Sequence, residues 1–279
     1  MIEAKAITKR YGDGTTALKG VTFTLNKKIT SIIGRNGAGK TTLLRILSTQ
    51  LMPTSGTATI NGNDVIKDVQ SIRRMIVSIP QESKPITYLS AMDNIMLYLA
   101  ARNMSRKEAR QAAEKAIKTV GLWEVREKAT DDLSGGMKRK VFVAMAIASN
   151  AKIVFLDEPT TGLDPLSRIE VWAAIKAIKG QVILTTHYME EAQALSEDVL
   201  MVDSGKILSQ GSVNDLLKPF GGKVRVESAR KTANSYRIGK TYISYISKSK
   251  AESSVMEGDI IKPITLDDLF IKKGVELEY

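Results

Sequence analysis

Apolar and polar positions alternate from the first residues of the chain. Ile2, Ala4, Ala6 and Thr8 are spaced two apart, and Val21, Phe23 and Leu25 repeat the spacing. That is the period of strands with one buried face. Tyr11-Gly12-Asp13-Gly14 supplies the turn between them. Ile29, Ile32 and Ile33 mark a strand, and Leu43, Leu44, Ile46 and Leu47 then fall at helical spacing over residues 40–50. Residues 56–60 alternate again and turn at Asn61-Gly62, a hairpin signal. Residues 76–79 are a short apolar strand stopped by Pro80-Gln81.

The period then changes. Met92, Ile95, Met96 and Leu99 recur at helical spacing, and Ser105 with Glu108 forms a capping box for a helix to about Val120. The stripe of Met92, Met96 and Met104 reads as packing rather than a cofactor site, on a soft surface that also suits a partner helix. Beyond it, 153–156 and 182–184 are unbroken apolar runs, as in strands covered on both faces. Asp164-Pro165 starts a helix with an N-cap and proline at its first position. Residues 199–202 and 206–209 form a hairpin around Asp203-Ser204-Gly205, and a short helix starts at Ser212. Pro219-Phe220-Gly221-Gly222 breaks the composition. After it come strand-like pieces at 224–226 and 236–246, and a helix capped by Thr265 with Asp268 three residues on.

Composition narrows the chemistry. The 279 residues are 43% hydrophobic and 25% charged, an ordinary globular balance. There is no cysteine, which excludes disulfides and thiolate metal sites and fits a reducing cytoplasm. His187 is the only histidine, so a histidine-cluster metal site is excluded. No apolar run approaches the roughly 18 residues of a membrane span, and the charged, strand-like N-terminus is not a signal peptide. Work at a membrane would therefore require docking on something embedded there. The net charge of +11 suits nucleic acid, an anionic surface or an acidic partner. A lysine-rich solvated surface is the favoured reading, because no five basic residues run consecutively.

The chain is organised around Gly34-Arg35-Asn36-Gly37-Ala38-Gly39-Lys40-Thr41, which fits G-x-x-x-x-G-K-[ST] between a strand and a helix. Glycines let the backbone curl until successive N–H groups point at one anion, and the helix adds its unpaired amides and positive dipole end. Lys40 would sit on the β- and γ-phosphates of a nucleotide, and the Thr41 hydroxyl on Mg²⁺. Asp157 and Glu158 end a buried strand, where α/β sheets bind ligands and where a Mg²⁺ partner and a water-orienting base are needed. His187 follows a second strand on the same presumed edge. Leu133-Ser134-Gly135-Gly136-Met137 opens a helix flanked by Lys138, Arg139 and Lys140, which is either a second anion site or a flexible hinge. Tyr11 either presents its ring to a base or packs half-buried. The expected fold class is α/β: a P-loop NTPase core with a mixed sheet and an N-terminal antiparallel β subdomain. An all-helical insertion at about 91–150 and a small C-terminal α+β appendage complete it. Residues 1–217 form the first domain and 218–279 an accessory region with no catalytic constellation.

LSGGM at 133–137, FLDEP at 155–159 and TTH at 185–187 follow the phosphate loop in fixed order. Together they resemble the nucleotide-binding subunit of ABC transporters, over about residues 1–217. The resemblance implies that Tyr11 stacks on adenine, and that Gly34, Asn36, Gly37, Ala38, Gly39, Lys40, Thr41 and Thr42 hold ATP. It implies that Thr41, Gln81 and Asp157 associate with Mg²⁺, that Glu158 is the general base, and that His187 senses the γ-phosphate. Gln81 would also report to a membrane subunit. Ser134, Gly135 and Gly136 would complete the ATP site of a second chain, head to tail, with Asp164 in the dimer-interface loop. Met137 departs from the family's usual Gln; that position mostly supports the helix start, so activity is expected to survive, with weaker coupling at most. Closest is the daunorubicin-resistance and sodium-exporter branch, which also shows Thr-Thr-His-Tyr-Met-Glu-Glu (185–191), Thr-Gly-Leu-Asp-Pro (161–165) and Thr-Leu-Asp-Asp-Leu-Phe (265–270).

The function expected is an ATPase subunit that dimerises around two ATP and drives a separate membrane permease, as an exporter. It would be cytoplasmic and peripheral on the inner face of the cell membrane. The alternative is a soluble ABC ATPase acting on nucleic acid or ribosomes, motivated by the positive charge. Such proteins generally carry two cassettes or a long coiled coil, and this chain has neither, so nucleic acid is not an expected partner. A third reading, a non-catalytic nucleotide-gated subunit, is opposed by the intact Lys40, Asp157, Glu158 and His187.

Overall fold

The computed structural model describes residues 1–277 apart from 233, 255 and 257. It divides into two compact units, 1–210 and 211–279.

The first unit begins with β1 (Ile2–Arg10), β2 (Thr16–Leu25), β3 (Ile29–Ile33), α1 (Lys40–Leu47), β4 (Ser55–Ile60), β5 (Asn63–Asp64), α2 (Val69–Met75) and β6 (Ile76–Ile79). The insertion follows as α3 (Ala91–Ala101), α4 (Arg106–Thr119), two short 3₁₀ turns and α5 (Gly135–Ala148). Then come β7 (Ile153–Asp157), α6 (Pro165–Lys176), β8 (Gln181–Thr186), α7 (Met189–Leu195), β9 (Asp198–Asp203) and β10 (Lys206–Gly211). Two sheets result. The first, in order β2-β1-β4-β5, is antiparallel. The second runs β10-β9-β3-β8-β7-β6, with β9, β3, β8, β7 and β6 mutually parallel. This is the α/β architecture with an antiparallel subdomain and a helical insertion that the periodicity predicts.

The unbroken apolar runs are explained by the two cores. In β7, Val154 and Leu156 face a cluster with Ile95, Leu99, Ile117 and Val141 of the insertion. Ile153 and Phe155 face the opposite cluster, with Ile2, Leu25, Leu43 and Ile60. In β8, Val182 and Leu184 join the first cluster and Ile183 the second. Burying such a side chain contributes about 1.5–3 kcal/mol, so both faces of the central strands must stay apolar. In β7 and β8 the buried exceptions, Asp157, Thr185 and Thr186, fall at the carboxyl end of the sheet, while β3 also buries Thr30 and Ser31.

Register brings those ends together. Ile33 pairs with Thr186, and Asp157 with Thr185. The loop after β3, the acids ending β7 and the histidine after β8 therefore lie on one carboxyl edge, where parallel sheets bind ligands.

The second unit carries α8 (Val213–Leu217), β11 (Lys223–Ser228), β12 (Tyr236–Ile238), β13 (Thr241–Ser247), α9 (Lys248–Ser254), β14 (Ile260–Lys262) and α10 (Leu266–Leu277). Its sheet runs β12-β13-β11-β14. The alternating stretch 236–246 is a hairpin rather than one strand, because Gly239 takes a left-handed φ of 60° and reverses the chain.

Candidate nucleotide site

The loop after β3 is built for backbone exposure. Gly39 has φ 103°, and a Cβ there would lie 2.5 Å from the carbonyl oxygen of Ala17. A side chain at Gly34 would meet Val202 O at 2.1 Å. Side chains are thus excluded by conformation and space. Gly39 is the N-cap of α1 and offers it no side-chain acceptor, whereas Ser90, Ser105, Ser134 and Asp164 cap α3, α4, α5 and α6 through their side chains. The first-turn amides of α1 are left for another acceptor. A concavity of about 260 Å³ lies over them, lined by residues 36–42 with Ala17, Gln81 and Glu158. Ala17 has no chemical signal in the sequence; β2 brings it there.

Lys40 is buried in this concavity. Its Nζ donates to the carbonyls of Gly34 (2.9 Å) and Arg35 (3.1 Å) and stands 3.6 Å from Glu158 Oε1. Burial lowers the pKa of its ammonium, while Glu158 and Asp157 oppose that shift. Thr41 Oγ1 donates to Asp157 Oδ1 at 3.0 Å, and Thr185 Oγ1 donates to the same oxygen at 2.5 Å. The phosphate loop and the end of β7 are thereby tied through one carboxylate.

Glu158 is 7% exposed and held on every side. Its Oε2 contacts His187 Nδ1 (3.0 Å), Thr161 Oγ1 (2.8 Å) and Gln81 Nε2 (3.4 Å). Its backbone N–H donates to Thr185 O and Oγ1. Its φ of 46° is left-handed, a conformation that costs on the order of 1–3 kcal/mol in a non-glycine residue and persists where surroundings over-determine it. With Glu158 ionised, His187 must present Nδ1–H to it.

Tyr11 stands at the end of β1, 37% exposed, its hydroxyl 3.1 Å from Thr42 Oγ1 and its ring under Lys9 Nζ at 5.5 Å. The ring is anchored to the loop helix yet open to solvent.

Two groups of expected site residues lie elsewhere. Ser134, Gly135 and Gly136 begin α5 and do not line the concavity. Ser134 is exposed, and its Oγ accepts from Met137 N at 3.2 Å, so it is an N-cap. Gly136 is packed so that a Cβ would meet Ser167 Oγ at 2.6 Å. Asp164 is exposed and caps α6 by accepting from Ser167 N at 3.0 Å; the Ser167 side chain first, and then this backbone N–H, lower its pKa. Leu166 and Ile169 beside it are exposed large apolar side chains.

Sequence reasoning missed Thr185, Thr161, Arg139 and Glu191. Glu191, in α7, is fully buried and accepts from Thr160 Oγ1 (2.8 Å) and Trp172 Nε1 (3.0 Å). It ties the segment after Glu158 to the helix after His187. A polar residue ending an otherwise apolar strand is the one signal that could have flagged Thr185.

The donor set fits a Mg-nucleotide. Glycine amides, a buried lysine and a helix N-terminus suit polyphosphate. One carboxylate beside a hydroxyl suits Mg²⁺, which keeps waters and substrate oxygens rather than an all-protein cage. Among the described residues no group of three or more acidic, histidine or cysteine side chains is placed to hold a metal ion by itself.

The sequence model of the ABC transporter family matches residues 18–161. The daunorubicin resistance ATP-binding protein DrrA3 of Streptomyces coeruleorubidus is 35% identical over 218 residues, covering 77% of this chain and 69% of that protein. The ATP-binding cassette MJ0796, solved as a dimer in a post-hydrolysis state bound to ADP and Pi, superposes with a TM-score of 0.68 at 28% identity, over 76% of this chain and 98% of that one. The cbiO1 protein of Clostridium perfringens, part of the ABC transporter complex cbiONQ, gives 0.70 at 26% identity, over 77% and 90%. A phosphate loop, a β7 carboxylate pair and a histidine on one sheet edge, in a chain so related, make this protein an ATP-binding, ATP-hydrolysing subunit of the ABC transporter family.

Proposed function

We propose that this subunit hydrolyses Mg-ATP in a head-to-tail dimer and so drives a separate integral membrane permease. The observation that carries the reading is an incomplete site. Gly34–Thr42, Asp157, Glu158 and His187 converge on one edge, while Ser134, Gly135 and Gly136 of the same chain stand outside the concavity. A second copy, or a related subunit, would supply those residues. Asp164, with exposed Leu166 and Ile169, fits a surface covered by such a partner.

In this reading the amides of residues 37–41 and Lys40 bind the phosphates. Thr41, Asp157 and Gln81 would hold Mg²⁺, which neutralises phosphate charge when bound. Tyr11 stacks on the base. Glu158 accepts a proton from the attacking water through Oε2, and the hydrogen bonds from His187 and Thr161 fix that oxygen's direction. Closure excludes water from around the reacting phosphate. Hydrolysis cuts the bond that joins the γ-phosphate to the rest of the nucleotide, and once phosphate leaves, its contacts across the two chains are lost and the dimer opens.

Among the described residues no helix is long and apolar enough to cross a membrane. A peripheral place on the cytoplasmic face, beside a permease, follows from the transporter reading. Export is supported by likeness to proteins described as daunorubicin and doxorubicin resistance ATP-binding proteins. Residues 218–279 are proposed as an accessory region to the cassette.

The test is ATP turnover by the purified chain, wild type against Glu158→Gln. The wild type hydrolyses ATP slowly, and the variant binds ATP, loses turnover by about 10²–10⁴-fold and collects as a dimer. Robust turnover in the variant would overturn the reading.

A further inference from the structure

Arg139 lies in α5, five residues after Ser134, and its side chain leaves the helix for the nucleotide site. Its Nη2 donates to the carbonyl of Gln81 at 3.1 Å and to the carbonyl of Glu158 at 3.2 Å. These carbonyls belong to two of the site's own segments, the loop after β6 and the end of β7. Glu158 is the residue with the left-handed φ of 46°, so the guanidinium grips the site at its strained point. Arg139 and Gln81 also line a groove of about 480 Å³ together with Gly135, Lys138 and Thr161, next to the concavity that holds Lys40 and Glu158. Desolvation of the guanidinium lowers its pKa against the pull of Asp157 and Glu191, so a cation is kept there at a cost.

The choice of residue fits two backbone acceptors. A planar guanidinium presents several N–H groups in a fixed fork, whereas an ammonium is a point donor. The rest of α5 is keyed to the same domain. Lys140 pairs with Glu170 of α6 at 2.7 Å, and Gly136 packs against Ser167. A displacement at the start of α5 is therefore carried along a packed helix rather than absorbed locally.

We propose that Arg139 is a positioning residue that couples the two ATP sites of the dimer. The start of α5 serves the partner's nucleotide, while Arg139 on that same helix holds Gln81 and Glu158 of the chain's own site. Engagement of Ser134 by the partner's nucleotide sets the backbone of Glu158, and so decides whether this chain's base is aimed. The proposal rests on the head-to-tail dimer of the preceding section.

The experiment compares full-length wild type, Arg139→Gln and Arg139→Lys by steady-state ATPase kinetics over a range of ATP. Thermal melting reports folding, and a fluorescent ATP analogue reports binding. Arg139→Gln is expected to lower kcat by about 10- to 100-fold, the scale of a misplaced reacting group. KM stays within about threefold, and the Hill coefficient falls towards one. Arg139→Lys, which keeps the charge but lacks the planar N–H geometry, lies between. Loss confined to KM, or kcat and cooperativity within about twofold of wild type in both variants, would overturn the proposal. If Arg139→Gln does not fold, the lysine variant decides by the same two readouts. Glu158→Gln with Arg139 intact is run in parallel. If it fails to dimerise with ATP, the dimer reading itself falls. If it dimerises while the Arg139 variants behave as wild type, only the role of Arg139 falls.

Discussion

The Nζ of Lys40 lies 3.6 Å from Oε1 of Glu158, with both side chains more than nine-tenths buried. The residue that meets the phosphates and the residue that would activate water are thus one ion pair before any chemistry begins. A buried pair is sensitive to removal of one partner, because the other is left charged and desolvated.

Lys40→Met is expected to weaken ATP binding by at least about 100-fold, or roughly 2.7 kcal/mol. It should also destabilise the fold, by less than the roughly 3–5 kcal/mol of an isolated buried charge, because Glu158 keeps His187 and Thr161. Calorimetric titration with ATP and denaturant unfolding measure the two effects. Unchanged affinity would remove Lys40 from the phosphate site.

Gly39→Ala tests the loop's geometry. At φ 103°, with Ala17 O 2.5 Å from the added Cβ, the substitution should cost about 1–3 kcal/mol and remove ATP binding. Gly37→Ala has open space around it and should be tolerated better for steric reasons, though its φ of 79° still strains it. Thermal melting ranks the two.

Glu191 gives a pH signature. Burial raises its carboxyl pKa above the ordinary 4.5, against the hydrogen bonds from Thr186, Thr160 and Trp172. The folded chain therefore keeps a proton that the unfolded chain releases once pH passes the ordinary value. Stability from this group is present at lower pH and is lost as pH rises through the folded pKa. Relative to wild type, Glu191→Gln should gain melting temperature as pH is raised from about 4.5 to about 7.5. A difference that does not change with pH would contradict the assignment.

Tyr11→Phe should leave the KM for ATP nearly unchanged, whereas Tyr11→Ala should raise it about 3- to 10-fold, the worth of one ring contact. Equal effects of the two substitutions would mean that the hydroxyl contact to Thr42 matters and stacking does not.

The elements were legible where chemistry and period are local. The phosphate loop, the acids after 153–156, the histidine after 182–184 and the capping box at Ser105 all announce themselves within a few residues. What binds these pieces is not local. Thr185 reaches Asp157, Glu191 reaches Thr160, and Arg139 reaches two carbonyls through strand register and helix packing. Backbone acceptors leave no mark on residue identity, which is why Arg139 read only as part of a basic flank. The second unit was less legible, because its strands are short and the turn at Gly239 interrupts an alternation that continues on both sides.

If each chain carries two half-sites, ATP-dependent pairing must need Ser134 of one chain and the phosphate loop of the other. The most direct measurement is light scattering of Glu158→Gln with and without ATP, repeated after adding Ser134→Arg. Ser134 is exposed, and its loss as an N-cap costs only about 1 kcal/mol, so the fold survives. An ATP-dependent dimer is expected for Glu158→Gln, and for the double variant a monomer that still binds ATP at its own loop. A dimer formed equally by both, or by neither at saturating ATP, would contradict the half-site arrangement.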